Sequence, residues 1–308
     1  MAQRTLVIAN PRSRNGATGR RWRDVERRVR EALGPIEVEP TRGPRDAERL
    51  AREGARAGVE RILVAGGDGT LSEVVTGLVS AGLADRVSIG VLPLGTGGDF
   101  PRTLSLPRDL DGALVRIAAG RVRTVDAGRA RFAGTGGEVR EACFANVASF
   151  GISALTDELV NRTSKALGGT VSFLVGAVRA ILQYECGNVR LEVDGELVHD
   201  GPIVLAAAAN GRYFGGGMQV APEARVDDGL FDVVVLSQLP KRQLLRKLPL
   251  IYRGTHLRDP AAALHRGRVI TAEAAPGQVA LELDGEALGT LPARFELLPG
   301  ALRLLGAA

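Results

Sequence analysis

Arg61-Ile62-Leu63-Val64-Ala65-Gly66-Gly67-Asp68-Gly69-Thr70-Leu71-Ser72 is the stretch that decides the fold. Its first five residues read as a short buried strand, and Leu71 to Ser80 read as a helix. A strand that turns through glycines directly into a helix is the repeating unit of a parallel sheet. Glycine in such a turn lets backbone N–H groups approach phosphate oxygens closely, and the helix N-terminus adds a favourable dipole. Asp68 conflicts with an anion-binding loop unless a cation is also present, and magnesium on nucleotide phosphates would resolve the conflict. The bland alternative is a tight turn with a capping Asp. The pattern is neither GxGxxG nor GxxxxGK[ST], so neither a dinucleotide fingerprint nor a P-loop is supported.

The same alternation extends on both sides. Thr5 to Ala9, Ile36 to Val38 and Val87 to Leu92 read as further strands, and Arg20 to Leu33 and Arg45 to Ala57 as helices, the latter ended by Gly58. The expected fold of residues 1–128 is therefore α/β, a doubly wound and mostly parallel sheet. Ligands bind at the C-terminal strand ends of such sheets. The strand ends here carry Asn10-Pro11-Arg12-Ser13-Arg14-Asn15-Gly16, then Thr41, then the glycine turn, then Pro93-Leu94-Gly95-Thr96-Gly97-Gly98-Asp99-Phe100. Singly, each reads as a turn or helix cap. Together they supply hydroxyls, amides and glycines to one edge.

Beyond about Val125 the pattern changes to alternating strands and Asp-Gly turns. Val189 to Val193, Ile203 to Ala207, Phe231 to Leu236, Val279 to Leu283 and Phe295 to Leu298 predict an antiparallel β sandwich over 129–293. The tail 294–308 is expected to pack back on the first domain. Helices are expected near Val171 to Leu182 and, with basic residues, over Lys241 to Tyr252. Asn210-Gly211-Arg212-Tyr213-Phe214-Gly215-Gly216-Gly217-Met218 is a glycine-rich loop with aromatics. Arg225-Val226-Asp227-Asp228-Gly229-Leu230 reads either as an oxygen-ligand cation site or as a solvated Asp-Gly turn. Val193-Asp194-Gly195-Glu196 and Leu283-Asp284-Gly285-Glu286 are hairpin signals, and either Asp could instead be a general base.

Composition narrows the classes. Among 308 residues, 45% are hydrophobic and 24% charged, which suits a chain with a proper core. Net charge is +5, but 37 of the 40 basic residues are Arg, so the basic balance carries little weight as a signal. Aromatics are 4%, leaving few stacking platforms for nucleic acid. Two Cys and three His lack metal-ligand spacing, so a zinc site is not expected and a reducing cytoplasm is. The longest uncharged run, between Glu141 and Asp157, is shorter than the roughly 18–20 residues a transmembrane helix needs. The apolar stretch Thr5 to Ala9 is too short for a signal-peptide core, so none is expected.

Taken in order, these motifs resemble the bacterial diacylglycerol kinase and lipid kinase family, whose catalytic domain sphingosine and ceramide kinases share. Asn10-Pro11-Arg12-Ser13, Gly66 to Thr70, Pro93 to Thr96, Asn210-Gly211 with Gly215 to Met218, Asp227-Asp228-Gly229 and Asp284-Gly285-Glu286 carry the likeness over nearly the whole chain. The glycine-aspartate signature alone is shared with NAD kinases, and the C-terminal motifs make the resemblance specific. It implies an ATP- and magnesium-dependent transfer of phosphate to a lipid hydroxyl. Asn10, Pro11, Arg12, Ser13, Arg14, Thr41, Gly66, Gly67, Asp68, Gly69, Thr70, Leu71, Ser72 and Thr96 would bind ATP. Arg225, Asp228 and Leu230 would hold a structural magnesium, Arg225 and Leu230 through their carbonyls. Asp68, with Asp99 and Asp126, would organise the catalytic magnesium, and Asp284 would take the hydroxyl proton. The change Asp284→Asn is expected to remove turnover while leaving the fold intact.

Two positions depart from the family pattern. Arg14 stands where Gly is usual and Gly98 where Asn is usual, and both bear on nucleotide affinity. With no spanning segment expected, a lipid substrate would be met at the membrane surface by a cytoplasmic protein. The 241–252 helix, with apolar and basic residues at helical spacing, reads as a docking element or as a solvated face over a buried Leu stripe. Strand-edge pairing would allow a homodimer. Two other readings are a kinase of a soluble acceptor such as NAD, and a non-catalytic lipid-binding protein.

Overall fold

The computed structural model describes residues 3–14, 16–95, 98–134, 136–162 and 169–307, which divide into two compact units, 1–126 with 300–308 and 127–299.

The first unit opens β1 (Thr5–Ala9), α1 (Ala17–Leu33), β2 (Glu37–Pro40), α2 (Asp46–Arg56), β3 (Arg61–Gly66), α3 (Asp68–Ser80) and β4 (Ser88–Pro93). Then follow α4 (Asp99–Thr103), α5 (Leu110–Ala118) and the start of β5 (Val122–Ala133). β1 lies between β2 and β3, β4 flanks β3, and every one of these pairings is parallel. Residues Arg303 and Leu304 of the final strand add a parallel neighbour to β4. The residues of β1 and β3 are almost all buried, which explains their continuous apolar runs, whereas the edge strand β2 is largely exposed. Val7, Leu63 and Leu92 face Val25 and Val29 of α1 and Leu114 and Ile117 of α5. Against the opposite face, Gly54 of α2 packs on Leu6, and Gly77 of α3 meets the backbone of Glu48 in α2. A side chain at Gly77 would overlap the Glu48 carbonyl at 2.2 Å, so glycine sets that helix–helix approach.

The expected helix Leu71 to Ser80 begins three residues earlier, at Asp68. Asp68, Gly69 and Thr70 therefore form a helical first turn rather than a loop. This matters chemically, because the N–H groups of a helix's first turn have no partner within the helix.

The second unit continues from β5 through β6 (Val139–Phe144), β7 (Val147–Gly151), α6 (Ile152–Arg162), α7 (Gly169–Gln183), β8 (Gly187–Val193) and β9 (Glu196–Ala209). It is completed by β10 (Phe231–Ser237), α8 (Lys241–Tyr252), β11 (Ala262–Gly267), β12 (Val269–Glu273), β13 (Ala280–Leu283) and most of β14 (Glu286–Leu305). The pairings are antiparallel, in the order β11-β10-β9-β7-β13-β14, with β8 and β12 joining β9 to β14. Four phenylalanines centre the sandwich core: Phe144 stacks on Phe231 at 5.7 Å, and Phe150 on Phe295 at 6.1 Å. No helix among the described residues is long and apolar enough to cross a membrane.

Candidate functional site

Three chain segments meet at the C-terminal ends of β1, β3 and β4. Asn10 leaves β1 with its N–H on the Ala65 carbonyl (2.9 Å), and its side-chain amide donates to Thr70 Oγ1 (3.1 Å). The Asn10 side-chain oxygen accepts from Arg12 N (3.0 Å), which turns the chain through Pro11. Ser13 and Thr18 hydroxyls both donate to the Leu94 carbonyl, at 3.3 and 3.1 Å, tying this first loop to the loop after β4. Thr41 joins from β2, its N–H donating to the Ala9 carbonyl (2.8 Å).

The two glycine loops touch backbone to backbone. A side chain at Gly95 would stand 2.5 Å from Gly67 Cα and 2.8 Å from the Gly66 carbonyl, and one at Gly66 would meet Thr70 Oγ1 at 2.5 Å. Glycine at Gly66 and Gly95 is thus a packing requirement of the site.

Beside these loops lies a cavity of about 280 Å³. Of the residues the sequence singled out for nucleotide, Arg14, Gly66, Gly67, Asp68 and Leu71 line it. Asn10, Ser13 and Thr41 act one step back, holding the loops. Thr70 and Ser72 are buried in α3. Gly69 lies in the first turn of α3. Thr96 lies outside the described residues. Val91, Pro93, Gly95 and Gly98, from β4 and the loop after it, line the cavity too, and Pro101, Arg102, Leu106, Pro107 and Arg108, which the sequence reading missed, complete the wall. Their one local signal is Asp99 three residues before Arg102, a helical ion-pair spacing that the structure realises at 3.1 Å.

Asp68 is the acidic group of the cavity wall. Its Oδ2 accepts from Gly98 N (2.8 Å) and Asp99 N (3.2 Å). Enclosure among the loops pushes this carboxyl above the usual range, and the two N–H donors and the nearby Arg102 charge oppose the push. Asp99, itself buried, follows directly. Asp126 is used differently: its Oδ1 accepts from Gly300 N (2.7 Å). Among the described residues no three acidic, His or Cys side chains converge on one point. The expected trio of Asp68, Asp99 and Asp126 is thus not gathered into one cluster.

In the second unit the Asp-Gly turns prove to be two copies of one device. Asp194 and Asp284 both have positive φ, 50° and 49°, each followed by a positive-φ glycine, and each closes a two-residue hairpin, Val193 opposite Glu196 and Leu283 opposite Glu286. This is the type I′ geometry that Asp-Gly favours. Both carboxylates reach across to backbone N–H groups. Asp194 accepts from Arg268 N (3.0 Å) and Val269 N (2.8 Å). Asp284 accepts from Ala145 N (2.9 Å) on Oδ2 and from Asn146 N and Val147 N (both 3.0 Å) on Oδ1.

Asp228 Oδ1 accepts from Leu230 N (3.2 Å), and its Oδ2 is paired with Arg266. Arg225 lies 3.8 Å from Asp227. The guanidinium already neutralises the one carboxylate of this expected magnesium site, so the arrangement does not fit a divalent ion as it stands.

Comparison with known proteins gives a consistent picture. Residues 4–130 match the diacylglycerol kinase catalytic domain, and residues 146–306 the YegS C-terminal NAD kinase beta sandwich-like domain. A Salmonella gallinarum protein named "Probable lipid kinase YegS" is 32% identical over 307 residues, covering 97% of this chain and 94% of the relative. A Citrobacter koseri relative, "Probable lipid kinase YegS-like", is 31% identical over 305 residues with the same coverage. The crystal structure of a diacylglycerol kinase from Bacillus anthracis str. Sterne superposes with a TM-score of 0.76 at 25% identity, covering 98% of this chain and 96% of that one. Yeast NADH kinase shares the fold, with a TM-score of 0.55 at 11% identity over 99% of this chain and 83% of that one.

Proposed function

The chain belongs to the YegS-type lipid kinase family, with its diacylglycerol kinase catalytic domain, and on that premise we propose that it transfers the γ-phosphate of ATP, with magnesium, to the hydroxyl of a diacylglycerol-like lipid. The observation that carries this is the cavity where Gly67 and Asp68, at the N-terminus of α3, stand beside Arg14, Arg102 and Arg108. N–H groups and guanidinium groups suit phosphate oxygens. A hard oxygen donor pushed up by burial suits a cation held partly by those phosphates.

Asp68 is the residue that would hold a catalytic magnesium, with phosphate and water supplying the rest, as magnesium prefers, and Asp99 would join it only by giving up Arg102. Bound there, the ion would neutralise charge developing on the transferred group. The remaining work falls to the chain. Glycine loops and the α3 N-terminus hold the triphosphate still, and a carboxylate of the Asp284 hairpin receives the acceptor's proton. Asp284 is the first candidate. A second reading moves this role to Glu286, which is exposed at the start of β14, because three backbone N–H groups already engage Asp284 much as they do its non-catalytic twin. A structural magnesium held by Asp228 with the carbonyls of Arg225 and Leu230 would first have to displace Arg266.

The lipid is met at a membrane surface. The exposed stripe of α7 is apolar, with Val171, Leu174 and Leu182 each over 40% accessible. Lys241 of α8 donates to the Leu182 carbonyl (2.7 Å), and α8 carries four cations and no acid. Apolar residues flanked by cations suit an anionic bilayer. The test is ADP release by the purified protein with magnesium. Release should rise when diacylglycerol micelles are added and stay flat with NAD. The reverse pattern would make the protein a kinase of a soluble acceptor.

A further inference from the structure

Resting on the nucleotide reading of the cavity, we infer that Arg14 grips the terminal phosphate and makes the site selective for the triphosphate. Arg14 has φ 51°, in the left-handed region where glycine is relaxed and a side chain is strained. The chain nonetheless places an arginine there, and that arginine lines the cavity. Among the described residues Arg14 has no ion-pair partner, and neither does Arg108 on the same wall, whereas Arg102 is committed to Asp99. The lining thus presents two uncompensated guanidinium groups against the single carboxylate Asp68.

Gly98 lies on the same lining. Its φ is 114°, and a side chain there would meet nothing within 4 Å. Bulk is absent at Gly98 and present at Arg14, so the wall offers room for an arginine to turn inward and no side-chain amide at Gly98 to compete with it. A planar fork of five N–H donors matches a phosphate's oxygens two at a time, which a lysine cannot do. AMP and ADP lack the group it would grip, so the contact discriminates by phosphate count.

The test is calorimetric titration of ATP, ADP and AMP, with magnesium in excess, into the wild type, Arg14→Gly and Arg14→Lys, beside the melting temperature of each protein without nucleotide. Losing one charge-assisted contact should weaken ATP about ten- to hundredfold in Arg14→Gly. ADP should weaken less, and AMP by less than about threefold. Arg14→Lys should fall between, keeping charge without the fork. Melting of Arg14→Gly should equal or exceed the wild type, because glycine is at ease in this conformation. ATP affinity within about threefold of wild type in Arg14→Gly would overturn the inference. So would equal weakening of all three nucleotides, or a clear drop in melting temperature, which would mark Arg14 as structural. A wild type that binds none of the three removes the nucleotide reading itself, whereas a wild type that binds beside an unaffected variant removes only the role of Arg14.

Discussion

Asp284→Asn separates two jobs that one side chain appears in. Asparagine is at home at positive φ, so the turn itself is not perturbed. The amide can keep one oxygen under Asn146 N and Val147 N, but its NH2 group must then face Ala145 N, donor against donor. One hydrogen bond to a charged acceptor is lost, about 1.5–3 kcal/mol, and the other two weaken with the charge, giving roughly 2–4 kcal/mol of destabilisation. The fold is therefore not left untouched, contrary to the expectation from sequence. Asp194→Asn is the matched control, with two N–H donors in place of three and a cost of about 1–3 kcal/mol on the same reasoning. Urea melts would give both stabilities, and initial rates normalised to folded protein would give activity. Asp284→Asn should lose about 10²- to 10⁴-fold in rate, the usual contribution of a general base, and Asp194→Asn almost nothing. Equal specific activities in the two variants would refute a catalytic Asp284. A large loss in Glu286→Gln with normal melting would then move the base to Glu286.

Three further outcomes follow from the structure. Gly95→Ala should drive a methyl into the Gly66–Gly67 backbone, costing roughly 1–3 kcal/mol by thermal melting and weakening ATP at least tenfold by calorimetry; unchanged affinity would detach the loop contact from binding. His256 is buried with Nε2 donating to the Val220 carbonyl (3.1 Å), and burial holds its pKa below the ordinary value. The unfolded chain then takes the proton first, so its contribution is intact above about pH 6.5 and lost as pH falls, by at most ~1.4 kcal/mol per pH unit; His256→Gln should flatten that limb in urea melts between pH 7.5 and 5.5, and an unchanged slope would exclude it. Reversing Lys241, Arg242 and Arg246 to Glu should weaken sedimentation with phosphatidylglycerol vesicles, at about 1 kcal/mol per charge removed, more at low salt than high; equal binding would make α8 an ordinary solvated face.

Strands of unbroken apolar residues were legible in the sequence because burial on both faces leaves no other pattern; Thr5 to Ala9 and Arg61 to Ala65 are examples. The basic helix was legible to its end residues, Lys241 and Tyr252. α3 was cut short because Gly69 disguises its first turn. α6 lay unread because its first half belongs to the uncharged run that ends before Asp157, and β14 was read only in part because Gly289, Pro292 and Gly300 interrupt its alternation. Gly66, Gly67 and Asp68 were visible as chemistry because glycine and aspartate have few other reasons to stand together between a strand and a helix. Arg102 and Arg108 were not, since one arginine among 37 carries no signal until the fold brings it to a cavity. The Asp284 turn was legible, but its partners at Ala145 to Val147 are distant in sequence and needed the sheet register to appear.

The most direct test of the account follows the phosphate itself. The protein, magnesium and γ-labelled ATP would be incubated with mixed micelles of diacylglycerol, other lipid alcohols or no lipid, and the label counted after extraction into organic solvent. The account predicts label in the extracted lipid, dependent on magnesium and on an added hydroxyl lipid. Label that stays in the aqueous phase with every lipid, from a protein that binds ATP, would contradict it.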